Sequence, residues 1–263
     1  MDLKVATEII IEIAKEAGSF IREERKIFTQ GKVEAKATND LVSYVDKTAE
    51  NMIVGKLCEA FPDHGFIAEE DQSLEKKEYN WIIDPLDGTT NFVHGIPCYA
   101  VSIGLEYKGE ILAGVVYEVA NDECFYAYKG GGAFLNDNKI SVTKVNALKD
   151  SLIATGFPVN KFDKMKEVLN CADHFMRNTH GIRRIGSAAS DLCFLACGRV
   201  DAFYEYNLNA WDVAAGIIIV KEAGGKVSDF SFGESYLFGR QIMASNPFLF
   251  EEFGGVVKNN FEE

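Results

Sequence analysis

Apolar residues in the first segment, about Leu3 to Lys26, recur at Ile9, Ile13, Ala17, Phe20 and Ile21, which share one helical face. The pattern predicts an amphipathic opening helix. A second helix is expected from near Asp46 through Ala49, Met52, Ile53, Leu57 and Ala60, ended by Pro62-Asp63-His64-Gly65. The rhythm then shortens to that of strands. Phe66-Ile67-Ala68 runs into Glu69-Glu70-Asp71, and Trp81-Ile82-Ile83 runs into Asp84, so two short apolar strands each end on acid. Tyr99 to Glu106, Ile111 to Val119 and Cys124 to Lys129 read as an antiparallel meander, with Gly130-Gly131-Gly132 as strand-end turn chemistry.

Beyond about residue 145 strands and helices alternate. Strands are expected at Leu152–Thr155, Gly181–Ile185, Val200–Tyr204, Lys226–Phe230 and Gln241–Ala244. Helices are expected at Lys161–Arg177, after a Ser187 cap as far as Gly198, from about Trp211 to Gly224-Gly225, and after Asn246-Pro247. No Pro-, Ser- or Gly-rich linker and no fixed-period repeat divides the chain. The reading is layered α+β, with two closely packed lobes, 1–145 and 146–263.

Composition narrows the function. With 47% hydrophobic and 25% charged residues, the 263-residue chain can bury a sizeable core, which excludes a disordered or fibrous protein. Its 40 acidic against 27 basic residues give a net charge of −13, the wrong sign for generic attraction to nucleic acid or an anionic membrane. Ile9-Ile10-Ile11 is followed at once by Glu12, so neither a signal peptide nor a spanning helix is expected, and the cytoplasm is the expected compartment. The six cysteines form no CxxC pair and read as small apolar side chains rather than a zinc module. None of the four histidines has a metal or triad spacing.

The chemistry concentrates in Trp81-Ile82-Ile83-Asp84-Pro85-Leu86-Asp87-Gly88-Thr89-Thr90-Asn91-Phe92. A buried strand is expected to break at the proline and present two carboxylates three positions apart, with Gly88 letting Asp87 fold back beside Asp84. Crowded carboxylates relieve their repulsion by sharing a proton or binding a cation, and oxygen ligands select magnesium, manganese or calcium. Asp-Pro or Asp-Gly alone is a common turn former; the whole run is not so easily dismissed. Gly88-Thr89-Thr90 can also open a short helix whose N–H groups face a phosphate. Glu69 alone reads equally well as a solvated charge, and Asp212 or Asp46 alone as an ordinary acid at a helix start.

Asp84-Pro85-Leu86-Asp87-Gly88-Thr89-Thr90-Asn91-Phe92, preceded by Glu69-Glu70 and followed by Trp211-Asp212-Val213-Ala214-Ala215-Gly216 and Ala244-Ser245-Asn246, resembles the inositol monophosphatase family of magnesium-dependent, lithium-sensitive sugar phosphatases. The haloacid-dehalogenase pattern, Asp-x-Asp-Gly-Thr, is one residue shorter between its acids and is set aside. The resemblance implies an αβαβα sandwich and two or three Mg²⁺ ions. Glu69, Asp84 and the Leu86 carbonyl would hold one, Asp84, Asp87 and Asp212 a second, and Glu69 would face a third. It further implies that Thr89, paired with Asp46, orients the attacking water together with Glu69, so that hydrolysis proceeds in line without a covalent intermediate. Gly88 and Thr89 would receive the phosphate, while Asp87, Ala188, Glu205 and Asp212 would line the substrate pocket.

Inositol 1-phosphate is the favoured substrate on this reading. Fructose 1,6-bisphosphate and histidinol phosphate are the alternatives. A bisphosphate would need added cations, and of the adjacent Arg183 and Arg184 only one can face the pocket from a strand. A homodimer is expected from the resemblance; a transcription-complex binding role through a protein partner, in addition to catalysis, is the alternative of a different class. Direct contact with nucleic acid is not expected.

Overall fold

The computed structural model describes residues 1–29, 33–37 and 40–261. Helix α1 (Leu3–Ile27) starts from an Asp2 cap whose carboxylate accepts from the Lys4 and Val5 N–H groups. Its buried stripe is Ala6, Ile10, Ile13, Ala14, Ala17 and Ile21; Ile9 and Phe20 flank it, half-buried. A separate antiparallel hairpin, β1 (Val33–Ala37) and β2 (Asp40–Ser43), leads into α2 (Tyr44–Ala60), two residues ahead of the expected start. Ser43 caps that helix, and Asp46 at its third position completes a capping box.

The first sheet takes its seven strands in chain order: β3 (Gly65–Ala68), β4 (Tyr79–Asp87), β5 (Ala100–Tyr107), β6 (Glu110–Glu118), β7 (Glu123–Tyr128), β8 (Gly132–Leu135) and β9 (Asn138–Lys139). Only β3 and β4 run parallel in it. The second sheet is ordered β11 (Gly181–Arg183), β10 (Leu152–Thr155), β12 (Ala202–Tyr206), β14 (Gln241–Ser245) and β13 (Lys226–Ser228). Five further helices complete the chain: α3 (Thr89–His94), α4 (Met165–Asn178), α5 (Ala188–Ala196), α6 (Ala210–Glu222) and α7 (Phe250–Phe261).

Side-chain alternation along β4 sorts the layers. Trp81 and Ile83 face α1 and α2 and join Ile10, Ile21, Ile53 and Leu57, whereas Ile82 faces the other way. On that other face α5 and α6 lie between the sheets, packing Leu192, Val213 and Ile217 against Val116 and Phe125 of one sheet and Phe203 and Ile242 of the other. Beyond the second sheet α4 and α7 cover Ile153, Tyr204 and Met243 with Val168, Phe175 and Phe253. The order is helices, sheet, helices, sheet, helices, the αβαβα sandwich expected. Close approach sets the position of α6: a Cβ on Gly104 or Gly114 would stand 2.9 or 2.8 Å from Ala214 or Ala215. These glycines let the helix lie on the sheet, which brings its first turn, with Asp212, to the end of β4.

Several expected boundaries move. Strand β4 does not stop at Pro85; it bulges and resumes, Asp84 pairing with Ser102 and Asp87 with Ala100. The extra residue absorbs the missing proline N–H without ending the ladder. Helix α4 begins four residues after Lys161, β11 stops at Arg183, and β12 runs two residues later than Val200–Tyr204, so Glu205 lies within it. Asn246 does act as a cap, accepting from the Phe248 and Leu249 N–H groups, but what it closes is a turn ahead of α7. The hairpin β1–β2 and the short β8 and β9 were not anticipated. Among the described residues no helix is long and apolar enough to cross a membrane.

Candidate active site

A cavity of about 560 Å³ opens where β4, α3, α5, β12 and the start of α6 converge. Asp84, Asp87 and Asp212 meet in its wall, each with a carboxylate oxygen within 4.8 Å of the others. Asp84 is buried at the bulge, where it accepts from the Leu86 N–H at 3.0 Å. Asp87 accepts from the Ser187 hydroxyl at 2.6 Å and the Ala189 N–H at 2.7 Å, which ties the end of β4 to the first turn of α5. Asp212 accepts from the Asn209 N–H at 2.6 Å and so serves as the capping-box acid of α6. The reading of Asp212 as a helix-start acid is therefore correct as structure and incomplete as an account of the residue.

Glu69 lines the same cavity and lies near enough to raise Asp84, but it falls outside the group of three. Leu86, Gly88, Thr89, Ala188 and Glu205 also line it. Asp46 does not: it is buried behind Thr89, whose hydroxyl lies 2.9 Å from Asp46 Oδ1 and 3.0 Å from the Leu86 carbonyl. The other Asp46 oxygen accepts from the N–H and hydroxyl of Ser43.

Burial and mutual repulsion dominate the electrostatics. Burial, then the charges of Glu69, Asp87 and Asp212, hold the Asp84 carboxyl well above the usual range. Burial also lifts Asp87 to about 6, although Ser187, two helix N–H groups and Arg184 pull the other way. Asp212 is pushed up to about 7 by burial and by Asp87. Burial raises Asp46, and the hydrogen bonds from Ser43 and Thr89 oppose that shift.

A divalent cation fits this donor set: three buried carboxylates in mutual repulsion, all hard oxygen donors, with no histidine or cysteine among them. Because the raised values let the folded protein hold protons more tightly than the unfolded chain, that stabilisation is complete below about pH 4 and is lost as pH rises through about 6 to 7. Chelated protein is therefore expected to melt at lower temperature at about pH 8 than at about pH 5, with magnesium reversing the loss at the higher pH. Melting curves with and without chelator check this, and a pH-independent effect of magnesium would contradict it.

Sequence reasoning passed over several residues of the site. Glu50, buried on α2, accepts from the Glu70 and Asp71 N–H groups at 2.8 and 2.7 Å and fixes the turn that carries Glu69. Its signal was an acid on the apolar face of a helix, one turn after Asp46. Lys47, Asp191 and Arg240 line the cavity too. Arg184 lines it and Arg183 does not, but β11 ends at Arg183, so Arg184 reaches the cavity from the segment after the strand and not by strand alternation. Gly156 faces Glu205 so closely that a Cβ would stand 2.0 Å from Oε1. Gly156→Ala is accordingly expected to displace Glu205 and cut kcat/KM for a polyol phosphate by about tenfold or more, a misplacement penalty of ordinary size. Steady-state kinetics read the effect, and an unchanged KM would count against a substrate role for Glu205.

An αβαβα sandwich whose first sheet ends on an oxygen-only acid cluster beside the start of α6 is suited to metal-assisted chemistry on a phosphate ester. The model of the inositol monophosphatase family matches residues 2–260, and the chain belongs to that family. It is 41% identical over 243 residues to an inositol-1-monophosphatase of Mesorhizobium japonicum, covering 92% of this chain and 91% of the relative. It is 40% identical over 246 residues to Nus factor SuhB of Pasteurella multocida, covering 93% and 92%. The crystal structure of the extragenic suppressor protein suhB from Bartonella henselae superposes with a TM-score of 0.91 at 40% identity, covering 97% of this chain and 98% of that one.

Proposed function

We propose that this phosphatase hydrolyses the phosphate monoester of a polyol, inositol 1-phosphate foremost, with magnesium as its cofactor. The observation that carries the reading is the convergence of Asp84, Asp87 and Asp212 on one cavity that also holds Thr89 and Glu205. Asp84, Asp87, Asp212, Glu69 and the Leu86 carbonyl would hold two or three ions. Bound magnesium would neutralise the ester and make a water acidic enough to attack at neutral pH.

The remaining tasks fall to the chain itself. Thr89 has one proton and two acceptors in reach. Given to Asp46, that proton leaves the Leu86 carbonyl free for a cation and a Thr89 lone pair free to accept from, and so aim, a water. Asp46 is itself fixed by Ser43, so this aim is set before substrate arrives. Glu69, which lines the same cavity, would help orient that water and take its proton. Gly88 and Thr89, at the start of α3 and in the cavity wall, would receive the phosphate through their N–H groups. Asp212 would hold the water that protonates the leaving oxygen, and Glu205 would accept hydroxyls of the leaving alcohol, with Ala188 lining the same cavity.

The family relationship supports a homodimer and lithium sensitivity. A role in binding a protein partner alongside catalysis is favoured by relatives named as Nus factors; the net charge of −13 opposes a direct RNA role. The test is phosphate release with magnesium from inositol 1-phosphate, fructose 1,6-bisphosphate, histidinol phosphate and 3′-phosphoadenosine 5′-phosphate. The reading expects the inositol ester to have the highest kcat/KM. Preference for the nucleotide would move the protein to another substrate class.

A further inference from the structure

The cavity contains one acid that the hydrolytic scheme does not use. Asp191, on the first turn of α5, is 1% exposed and lines the cavity, yet its Oδ1 has no hydrogen-bond partner among the described residues. Its neighbours are already engaged. The Ser187 hydroxyl bonds Asp87 at 2.6 Å and lies 2.7 Å from the Ser190 hydroxyl. Each acid of the cluster, Asp84, Asp87 and Asp212, accepts from a protein N–H or hydroxyl. The charged groups that face Asp191 are Glu205 from β12, Asp87 from the end of β4 and Arg184 from the segment before α5. Arg184 is exposed and acts on Asp87, Asp191 and Glu205 together, so its single charge is divided among three acids.

A buried carboxylate oxygen left without a donor is costly, and such groups in native folds call for an explanation. Here the cavity itself supplies one. Asp191 and Glu205 stand close enough to repel each other and wall the same space, so a ligand with two donors can satisfy both, whereas one hydroxyl satisfies only one of them.

We propose that Asp191 is a specificity-determining residue, accepting a second hydroxyl of the leaving alcohol beside the one taken by Glu205, so that the site selects alcohols with at least two neighbouring free hydroxyls. The proposal rests on the polyol reading above and deepens it. The neighbouring hydroxyls of a polyol supply two donors, the number this pair of carboxyl groups calls for. A site built to bond a hydroxyl discriminates through the partner it would otherwise leave unpaired.

The test compares wild type, Asp191→Ala and Asp191→Asn with magnesium present, using inositol 1-phosphate as substrate and inorganic phosphate as competitive inhibitor. D191A is expected to raise KM for inositol 1-phosphate about tenfold, with kcat falling less than about threefold and the inhibition constant of phosphate within about twofold of wild type. D191N, which keeps one acceptor oxygen, is expected to fall between the two. If melting shows that D191A does not fold, D191N decides: a KM increase of about threefold without a change in phosphate inhibition supports the contact. Equal loss of ester and phosphate binding would mark Asp191 as merely structural, and an unchanged KM would remove it from the pocket; either overturns the proposal. A loss confined to an amine-bearing ester such as histidinol phosphate overturns the hydroxyl assignment. Wild-type turnover of inositol 1-phosphate reports on the underlying reading, and the variant-to-wild-type ratio on Asp191. Absent wild-type turnover overturns both.

Discussion

Asp84→Asn is expected to lower kcat/KM for magnesium-dependent phosphate release by about 10³-fold, roughly 4 kcal/mol of transition-state stabilisation. Asp84 is the acid raised by Glu69, Asp87 and Asp212 together, so removing its charge weakens every cation the cluster would hold. The same substitution should have the opposite effect on the metal-free fold. Without magnesium the buried Asp84 carboxylate is repelled by three others, and asparagine keeps the shape while removing the charge. Relief of about 1 kcal/mol raises the melting temperature of a chain this size by roughly 2–4 °C. Loss of activity together with a more stable chelated protein is a signature that simple misfolding cannot produce. Kinetics and melting curves on one preparation read both, and a variant less stable than wild type in chelator would contradict the repulsion argument.

Thr89→Val carries the second large effect. Valine fills the same space, so α3 and its packing remain, but the hydroxyl that stands between Asp46 and the cavity is lost. The expected result is a fall in kcat of about 10²- to 10³-fold, the range for loss of a positioned proton acceptor, with KM and the magnesium requirement changed only a few-fold. Thr89→Ser keeps the hydroxyl and should stay within about tenfold of wild type. Near-normal turnover by the valine variant would remove the Asp46–Thr89 pair from the mechanism. Asp46→Asn is a poorer probe, since Asp46 also closes the capping box of α2 and its loss mixes stability with chemistry.

These residues were legible to different degrees, for physical reasons. The run from Trp81 to Phe92 was readable because an apolar strand, a proline, two acids and a glycine are all local signals. What the run could not disclose was its pairing: whether a proline ends a strand or sits in a bulge depends on a neighbour, here β5, that accepts the extra residue. Period places α1, whose buried stripe repeats within the helix, whereas α5 and α6 are buried on nearly every side and were placed by their caps and terminal glycines. Helix α4 begins at Met165 rather than Lys161, and the segment before it, from Gly156 to Asn160, walls the cavity instead. Local propensity does not register that use.

Asp46 and Asp212 are instructive together. Each occupies the third position of a helix and closes its cap, so the bland reading of an acid there was structurally correct for both. Asp212 gains its place in the cluster only because Gly104 and Gly114 let α6 lie close against the sheet, and Asp46 meets Thr89 from 43 residues away. Glu50 and Asp191 were overlooked for a related reason: their partners, or the lack of them, exist only once distant segments meet.

The central claim is that these scattered acids form one cradle whose occupation by a hard divalent ion switches on phosphate release. The most direct measurement strips the protein with chelator and follows hydrolysis of inositol 1-phosphate during a magnesium titration, with ion binding measured on the same samples. The stripped protein is expected to show no turnover, with recovery that tracks ion occupancy, and Asp84→Asn to lose both. Turnover that persists in chelator, or magnesium binding that survives loss of the Asp84 charge, would contradict that claim.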